Sequence, residues 1–262
     1  ITVREVAGGA LSPHLCRHTS VGDVVELGVT FGEFQIAAEK AVPRLFLAAG
    51  SGITPLMALT RQLAAAGMPG SLTLLYWARK RDELCFVHEL QAVAKRFPQF
   101  RLQFFLTGEA AEFAHESVGR LSAEHLAAWL GDSAMQHVYA CGPAGFVEAA
   151  RALVADFVFS FQAEQFTPPA LVVDEASSRV SVYLSASDRH VEVSTAESLL
   201  SALEAAGVQP EYGCRMGICN TCACGKSEGS TQSLLTGERQ HESTDALRIC
   251  ISRATSNLTL DL

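Results

Sequence analysis

The chain has 262 residues, of which 48% are hydrophobic and 18% are charged, and its formal net charge is −8. This composition is ordinary for a globular protein, and the acidic charge argues against a nucleic-acid binder because phosphate contacts need clustered Lys and Arg side chains. The apolar runs are short and interrupted, so no membrane span is expected. Three of the eight cysteines fall within nine residues, and no secretory signal is recognised before them. This favours a metal or redox site in a reducing, cytoplasmic compartment over a disulfide scaffold.

The first forty residues do not have the pattern of a complete domain. Hydrophobic and polar residues alternate in stretches such as 24–29, which predicts strands separated by turns. Few such strands fit before the pattern changes, and so few strands cannot bury a core of their own. Residues 1–40 are therefore predicted to be the end of a larger unit that is rich in strands.

Strands and helices alternate from about Pro43 onward. Strands are predicted at 44–49, 72–78, 102–106 and 136–140, and helices at 55–66, 86–96, 123–130 and 144–157. This alternation predicts an α/β domain whose parallel sheet is covered by helices on both faces. No period is evident after about residue 162, and residues 167–178 are predicted to be an interdomain linker.

The last third of the chain has a different pattern, in which short alternating segments predict further strands. These segments lie at 180–184, 191–193, 248–252 and 257–262. Ser194 and Glu197 have the spacing of a capping box, which predicts a helix that continues to Gly207. Residues 179–262 are therefore expected to form a small α+β domain.

Four cysteines of this last domain have the spacing of plant-type [2Fe–2S] ligation, C-x4-C-x2-C with a distant fourth cysteine. They are Cys214, Cys219, Cys222 and Cys250. Each iron of such a cluster takes two thiolates, and Gly213 and Gly217 suit a loop that wraps closely around it. A zinc site is the alternative, but zinc usually takes a second C-x2-C or a His pair, which this sequence does not show. Three of the other four cysteines, Cys16, Cys85 and Cys224, are predicted to be small buried residues.

The loop from Gly213 to Cys222 resembles the signature of plant-type ferredoxins, and the resemblance extends over residues 179–262. It implies a β-grasp-like fold and a low-potential carrier of single electrons. Asn220 stands where many members of that family carry glycine or another small residue, which does not affect the ligands.

Two glycine-containing turns connect predicted strands to predicted helices in the α/β domain. Glycines let a backbone approach a pyrophosphate, and a helix N-terminus favours its negative charge. The first turn is not the G-x-G-x-x-G fingerprint, because proline replaces the third glycine. Since both turns lie at the carboxyl edge of the predicted sheet, a nucleotide site is predicted there. The residues of the two turns are Gly50, Ser51, Gly52, Ile53, Thr54 and Pro55, and Cys141, Gly142 and Pro143.

Together the two turns resemble the nucleotide domain of the ferredoxin–NADP⁺ reductase superfamily, over residues 41–166. The resemblance implies that residues 50–55 hold the pyrophosphate and the nicotinamide. It also implies that Cys141 and Gly142 lie against the nicotinamide ring, which makes Cys141 the candidate catalytic residue.

The residues after the second strand recognise the adenosine ribose in that superfamily. Arg79, Lys80 and Arg81 stand at this place in the chain, and Arg79 and Arg81 are the candidate contacts. Guanidinium groups suit a 2′-phosphate, and no acidic residue stands directly at the strand end to select a free hydroxyl. NADPH is therefore the expected cofactor, with NADH as the alternative.

Residues 1–40 resemble the last part of the antiparallel flavin-binding barrel of the same superfamily. The resemblance implies FAD, with FMN less expected, and it places Gly9 and Ser12 at the flavin pyrophosphate and Phe166 at the flavin ring. The family's upstream Arg-x-Tyr/Phe-Ser/Thr motif is absent from the chain, as are the strands before it. About a hundred residues of the barrel are therefore expected to be missing, which leaves the predicted flavin site incomplete.

The combined resemblances imply an electron-transfer function. A nicotinamide gives up two electrons as hydride, a [2Fe–2S] cluster accepts one, and a flavin can divide the pair. The resemblance is to fused reductases that serve an oxygenase or a fatty-acid desaturase. Two other classes stay open, namely a flavin-less iron–sulfur electron shuttle and a nucleotide-binding redox-sensing module without turnover.

Overall fold

The computed structural model describes residues 1–6, 8–9, 11–27, 34–36, 40–130, 136–156, 158–165 and 178–262. These residues form two compact units, of which the first contains the described residues up to Gln165 and the second those from Ser178 onward.

A six-stranded sheet is the centre of the first unit, and every neighbouring pair of its strands is parallel. Its strands are β1 Arg44–Ala49, β2 Leu72–Ala78, β3 Phe100–Leu106, β4 Glu116–Val118, β5 Gln136–Gly142 and β6 Val158–Gln165. Their order across the sheet is β4-β3-β2-β1-β5-β6. All residues of β2 are buried, as expected for a central strand that is covered on both faces.

Helices cover both faces of this sheet and bury two apolar clusters against it. The helices of the unit are α1 Leu11–Arg17, α2 Ile53–Ala65, α3 Val87–Arg96, α4 Ala123–Leu130 and α5 Ala144–Val154. Leu56 of α2 and Leu90 of α3 belong to one cluster, and Leu126 of α4 and Val154 of α5 belong to the other. The predicted α/β domain, with a parallel sheet covered by helices on both faces, is therefore confirmed.

The strand predicted at 24–29 is wrong for the described residues Val24–Leu27, which are not in a strand. Val21 and Val24 are fully or almost fully exposed, at 109% and 97% of the side chain's reference area. A strand needs a neighbour for its N–H and C=O groups, and the part of the chain described before β1 contains α1 but no strand that could pair with it.

Strand β6 was not predicted, and neither was β4. Strand β6 runs to Gln165 and pairs with β5. In the sequence, only the loss of a hydrophobic period was evident in this segment. Phe161 and Ala163 are only partly buried, so this edge strand lacks a strong pattern. Strand β4 has three residues, too few for a periodic signal. Most of the predicted linker, residues 167–177, lies outside the described residues.

The second unit contains a five-stranded and a three-stranded sheet with one helix. Its elements are β7 Arg179–Leu184, β8 Arg189–Ser194, α6 Leu199–Ala205, β9 Ala223–Glu228, β10 Thr231–Ser233, β11 Arg239–Gln240, β12 Thr244–Arg248, β13 Ser252–Ala254 and β14 Leu258–Leu260. The sheets have the orders β12-β9-β14-β7-β8 and β11-β10-β13. Leucines of α6 pack into the core between these elements, which confirms the predicted α+β fold.

The predicted capping box at the start of α6 is wrong. Ser198 caps this helix, because its hydroxyl accepts the N–H of Ser201 at 3.2 Å. Ser194 instead ends β8 and accepts the N–H of Ala196. The helix begins only at Leu199, where its apolar residues reach the core. None of the helices that the structure describes is both long and apolar enough to span a membrane.

Candidate functional site

The strand order of the first unit creates a crevice between β1 and β5. The chain moves from β1 outward through β2, β3 and β4, and then returns to place β5 and β6 on the other side of β1. Ligands of open α/β sheets bind at such a reversal, outside the carboxyl ends of the strands. The turn Gly50–Gly52 follows β1 and leads into α2, and Pro143 joins β5 to α5. Both predicted turns therefore lie at the crevice.

The two turns touch, and glycines make this close approach possible. A Cβ added to Gly52 would lie 2.1 Å from the carbonyl oxygen of Cys141. A Cβ added to Gly142 would lie 2.9 Å from the Cβ of Ala49. Real Cβ atoms do not tolerate such distances, so the contact between the two strand ends requires glycine at both positions.

Hydrogen bonds fix the first turn further. Gly50 has a positive φ of 56°, which glycine adopts without strain, and its carbonyl accepts the hydroxyl of Tyr76 at 3.0 Å. The Tyr76 oxygen in turn accepts the N–H of Cys85. The hydroxyl of Thr54 donates to the carbonyl of Ser51 at 3.0 Å. The turn is thus held in shape by the chain itself.

A cavity of about 410 Å³ lies at this edge of the sheet. The ends of five parallel strands, β1 to β5, and the start of α5 contribute to it. It is lined by Ala49, Gly50, Trp77, Ala78, Arg79, Thr107, Arg120, Leu121, Pro143, Gly145, Phe146 and Ala149. An apolar cavity with a few cations and a helix N-terminus suits a ring-bearing, phosphorylated ligand.

Arg79 and Arg81, both predicted to contact a 2′-phosphate, have different surroundings. Arg79 lines the cavity. The guanidinium of Arg81 instead forms a two-pronged ion pair with Glu116, at 2.7 and 2.8 Å, and also lies near Glu109 and Glu112. Three carboxylates of the chain surround this cation, and its predicted phosphate contact stays a prediction. The sequence alone did not reveal these partners, which follow it by about thirty residues.

Cys141 is fully buried, and its strand neighbour is Glu164. Burial, together with the nearby carboxyl group of Glu164, raises the pKa of the Cys141 thiol far above its ordinary value. Burial also raises the pKa of Glu164. The thiol is therefore uncharged at neutral pH, and it offers a small neutral surface and no thiolate nucleophile. Its predicted contact with a nicotinamide stays a prediction.

Sequence reasoning missed three polar residues around this crevice. Arg120 follows the short strand β4, whose existence was not predicted. The guanidinium of Arg4 lies 3.7 Å from the position of a Cβ on Gly50, and Glu164 of β6 lies opposite Cys141. The Gly119-Arg120 pair was the sequence signal that could have shown where β4 ends. The residues that follow a strand of this sheet lie at its carboxyl edge, where the crevice is.

The cysteine loop of the second unit turns its backbone N–H groups toward sulfur. The Sγ of Cys214 accepts the N–H groups of Met216, Ile218 and Cys219, each at 3.4 Å. The Sγ of Cys219 accepts the N–H of Cys214 at 3.3 Å. Such donors stabilise thiolates and tune the potential of a cluster that they ligate.

The four predicted ligands form two pairs. Cys214 and Cys219 are joined by the hydrogen bonds just described, and the thiols of Cys222 and Cys250 are within hydrogen-bonding reach of each other. Two pairs suit two irons, since each takes two thiolates. In the part of the chain that the structure describes, no three His, Cys, Asp or Glu side chains converge on one ion.

The loop also fits the space that a cluster requires. Gly217 has a φ of 75°, and a Cβ there would lie 2.5 Å from Cδ1 of Ile251. A Cβ on Gly213 would lie 2.9 Å from the Sγ of Cys219. Both glycines predicted to let the loop wrap closely are therefore required by their surroundings, and the residues present fit a [2Fe–2S] cluster.

The thiols of this loop have unequal acidities. Burial opposes ionisation of Cys219, but hydrogen bonds from Cys214 and Thr221 outweigh it and lower the pKa to about 6. Burial and the neighbouring Cys222 raise the pKa of Cys250 to about 12. Burial also raises the pKa of Cys224 to about 12, as expected for a small buried residue outside the ligand set. By contrast, Cys16 and Cys85 are exposed, so their predicted burial is wrong.

Two arginines hold the cysteine loop to its surroundings. The guanidinium of Arg215 donates to both carboxylate oxygens of Glu204 in α6, at 2.6 and 3.0 Å, and lies 3.9 Å from the ring centre of Tyr212. Arg248, which precedes the Cys250 turn, donates to the carbonyl of Gly217. The loop is thereby tied both to the helix and to the segment that carries the fourth cysteine.

The predicted flavin contacts have little support in the described residues. The N–H of Gly9 is already bonded to the carbonyl of Val6, and the hydroxyl of Ser12 accepts the N–H of Val6. Phe166 lies outside the described residues. The roles of these three residues at a flavin stay predictions.

The fold and the two sites define a class of protein, an NAD(P)-binding α/β unit followed by a [2Fe–2S] unit. Comparison with known families agrees. Residues 46–152 match the oxidoreductase NAD-binding domain family, and residues 182–255 match the 2Fe-2S iron-sulfur cluster binding domain family.

Curated relatives include an NADPH oxidoreductase of Mycobacterium tuberculosis, which is 31% identical over all of this chain and 67% of its own length. The ferredoxin reductase component of 3-ketosteroid-9-alpha-monooxygenase from the same organism is 32% identical over 86% of this chain and 64% of its own length. The heme-dependent oxidative N-demethylase beta subunit of Ectopseudomonas mendocina is 31% identical over 96% of this chain and 75% of its own length. The chain spans about two thirds of the length of the first two.

Among solved structures, phthalate dioxygenase reductase, described as modular for electron transfer from pyridine nucleotides to [2Fe–2S], is 26% identical. It matches 96% of this chain and 74% of its own, with a TM-score of 0.58. The chain belongs to the ferredoxin–NADP⁺ reductase superfamily, in the group that carries a plant-type [2Fe–2S] domain after the nucleotide domain.

Proposed function

We propose that this chain is the reductase part of an oxygenase system, and that it passes electrons from NAD(P)H through a flavin to its own [2Fe–2S] cluster. One observation carries the proposal. The same chain contains a nucleotide-sized crevice at the reversal of a parallel sheet and four cysteines arranged in two pairs. Neither site alone indicates electron transfer, but a site for a hydride donor and a site for a one-electron carrier in the same chain do.

The residues of the chain divide this work. The turn Gly50–Gly52 and the first residues of α5 provide backbone groups for a pyrophosphate. Cys141 provides a neutral surface beside these turns. The four cysteines ligate the cluster, and N–H groups of the loop compensate its negative charge. The flavin, when bound, supplies the step from a two-electron donor to one-electron carriers.

The proposed electron acceptor is an oxygenase, with a fatty-acid desaturase as the alternative. Two relatives named as reductase parts of monooxygenases support the first. Residues 180–262 contain ten Asp and Glu against six Lys and Arg, which supports a partner with a basic docking face. The proposed location is the cytoplasm, because all eight cysteines are free thiols and cluster ligands need a reducing compartment.

Anaerobic reduction of the reconstituted chain tests the proposal. We expect NADPH or NADH, in the presence of added FAD, to bleach the visible bands of the cluster and to support cytochrome c reduction. Cys219→Ser should abolish the cluster bands, whereas Cys85→Ser, an exposed cysteine outside the ligand set, should leave them unchanged.

Three results would contradict the proposal. If nucleotide and flavin both bind and the cluster stays oxidised, the chain is a sensing module. If no flavin binds and only a separate reductase reduces the cluster, the chain is a flavin-less electron shuttle. Cluster bands that survive Cys219→Ser would remove the proposed ligand set.

A further inference from the structure

Gly217 lies between two of the predicted ligand sulfurs. The peptide that follows it carries the N–H of Ile218, which donates to the Sγ of Cys214 at 3.4 Å. The N–H of Gly217 itself faces the sulfur of Cys250. Cys214 and Cys250 belong to different pairs of the ligand set, so two successive N–H groups at this glycine serve both pairs.

Glycine at position 217 leaves the direction of the following peptide open. A Cβ on Gly217 would lie 2.5 Å from Cδ1 of Ile251, so the fold admits no side chain there. Glycine has more backbone freedom than any other residue, and this freedom does not by itself direct the N–H of Ile218 to sulfur. A contact from outside the loop can supply that direction.

Arg248 holds the other end of the same peptide. Its guanidinium donates to the carbonyl oxygen of Gly217. A peptide unit is planar and trans, so its C=O and N–H groups point in opposite directions. A donor that fixes this carbonyl therefore also fixes the direction of the Ile218 N–H toward Cys214. Hydrogen bonds in such a chain polarise one another, so the bond from Arg248 also strengthens the donor at sulfur.

The fold holds the backbone of Arg248 in place beside the ligands. Its chain neighbours Leu247 and Ile249 are 3% and 0% exposed, so the segment is anchored in the core on both sides of the arginine. The backbone of Arg248 also pairs with Ala223 of β9, the residue that directly follows Cys222. The guanidinium therefore reaches the loop from a well-anchored point of the second unit.

We propose that Arg248 is a positioning residue for the [2Fe–2S] cluster, because it directs the N–H of Ile218 to the sulfur of Cys214 and thereby favours the reduced cluster. The inference rests on the proposed ligation of a cluster by the four cysteines. Reduction adds an electron to a cluster that its thiolate ligands already make negative, so an N–H group aimed at sulfur stabilises the reduced form more than the oxidised form. The positive charge of the guanidinium acts in the same direction.

A redox titration of the reconstituted full chain tests the proposal. Dithionite reduces the cluster in equilibrium with a redox dye of known potential, and the visible bands report the reduced fraction. We expect Arg248→Met to shift this equilibrium toward the oxidised cluster by about threefold to tenfold, as for the loss of a charge-assisted hydrogen bond. Arg248→Lys keeps the charge and offers a donor without the planar fork, so it should recover part of the shift.

Hydrogen–deuterium exchange separates positioning from charge. The amide of Ile218 is protected while it is bonded to sulfur, and we expect its exchange, followed by peptide mass spectrometry, to be about threefold faster or more in Arg248→Met. If Arg248→Met does not retain a cluster, Arg248→Lys is compared with the wild type by both measurements, with smaller changes in the same directions. A shifted reduction equilibrium with unchanged exchange at Ile218 would show that Arg248 acts by charge alone, which overturns the positioning role.

Arg239→Met is the matched control. Arg239 is an exposed arginine of β11 in the same unit, and its side chain has no hydrogen bond or ion pair within the described part of the chain. We expect this variant to stay within about twofold of the wild type in the reduction equilibrium, since a charge without a contact is screened, and to leave the exchange at Ile218 unchanged. An equal shift in Arg239→Met and Arg248→Met would show a general charge effect and overturn the proposal.

The remaining outcomes separate this inference from the proposed function. If the wild-type chain holds a cluster and Arg248→Met changes neither the reduction equilibrium nor the exchange at Ile218, the role of Arg248 is wrong while the ligand set stands. If the reconstituted wild-type chain shows no cluster bands, the proposed function fails, and the role of Arg248 fails with it.

Discussion

The nucleotide crevice and the cysteine loop both contain glycines with no room for a side chain, but the obstacles differ. A Cβ on Gly52 would lie 2.1 Å from the carbonyl oxygen of Cys141, which belongs to the backbone of a neighbouring strand. A Cβ on Gly217 would lie 2.5 Å from Cδ1 of Ile251, the far end of a side chain. Gly217 also has a φ of 75°, whereas Gly52 has an ordinary φ of −62°. Tertiary packing therefore explains why Gly52 must be glycine, and local backbone conformation contributes to the same requirement at Gly217.

The arginines of the two sites differ in a similar way. Arg81 pairs with Glu116, whose side chain is 1% exposed. Arg215 pairs with Glu204, whose side chain is 31% exposed. The first unit thus holds its loop with a carboxylate inside the fold, and the second holds its loop at the surface. Removal of the Arg81–Glu116 pair should therefore lower the free energy of unfolding more than removal of the Arg215–Glu204 pair.

The largest expected effect is that of Gly52→Ala. The carbonyl of Cys141 cannot move away without separating β1 from β5, so overpacking should lower the free energy of unfolding by about 3 kcal/mol. Denaturant unfolding followed by tryptophan fluorescence measures this, because Trp77 and Trp129 both lie in the first unit.

Gly145→Ala is the matched control for this prediction. Gly145 lies in α5, and a Cβ there would have no atom within 4 Å. Alanine in a helix is favoured over glycine by about 0.5–1 kcal/mol, so this variant should be as stable as the wild type or more so. Equal stability of Gly52→Ala and Gly145→Ala would show that the two strand ends are not in close contact.

The packing at Gly52 also shows what the sequence could and could not predict. The Gly50–Pro55 segment after an apolar strand predicted a ligand-binding turn, because strand, glycine and helix signals are local. The contact between Gly52 and Cys141 joins residues that are far apart in the chain, and no local pattern records it. The same reason explains why the carboxylate partners of Arg81 were not predicted, since Glu109 and Glu112 follow β3 and Glu116 begins β4.

A smaller effect is expected from Gly217→Ala in the second unit. The positive φ costs a residue with a Cβ about 1–2 kcal/mol, and crowding by Ile251 adds to this. The variant should lose its cluster faster in the presence of a chelator, because the loop N–H groups no longer fit the sulfurs. Decay of the visible cluster bands measures this rate.

Two further variants separate the causes. Gly237 also has a φ of 75°, but a Cβ there would have no atom within 4 Å, so Gly237→Ala carries the backbone cost alone. Adding Ile251→Val to Gly217→Ala removes Cδ1, the atom nearest to the new Cβ, and should restore part of the stability. If this second change restores nothing, the backbone conformation alone explains the need for glycine.

The cysteine loop was the part of the molecule that the sequence predicted best. Its ligands lie within a short segment apart from Cys250, so spacing alone predicts the ligand set, whereas the two pairs are evident only in the structure. The capping residue of α6 was mistaken because Ser194 and Ser198 both precede polar partners at suitable spacing, and only burial of Leu199 decides between them. Val24–Leu27 were mistaken for part of a strand because alternation does not reveal whether a strand has a neighbour.

The last prediction concerns the pH dependence of the Arg81 pair. The hydrogen bonds from Arg81, opposed by burial, lower the pKa of Glu116 to about 2 from its ordinary value of 4.5. The unfolded chain therefore takes up this proton first as the pH falls, so the stabilisation is complete above about pH 4.5 and is lost as the pH approaches 2.

Glu116→Gln should destabilise the first unit at neutral pH, and its difference from the wild type should shrink with acid. Tryptophan-monitored unfolding measures both, and Glu204→Gln, in the second unit, should leave these curves unchanged. If the free energies of unfolding of the wild type and of Glu116→Gln change in parallel below about pH 5, the buried carboxylate does not depend on Arg81 for its charge.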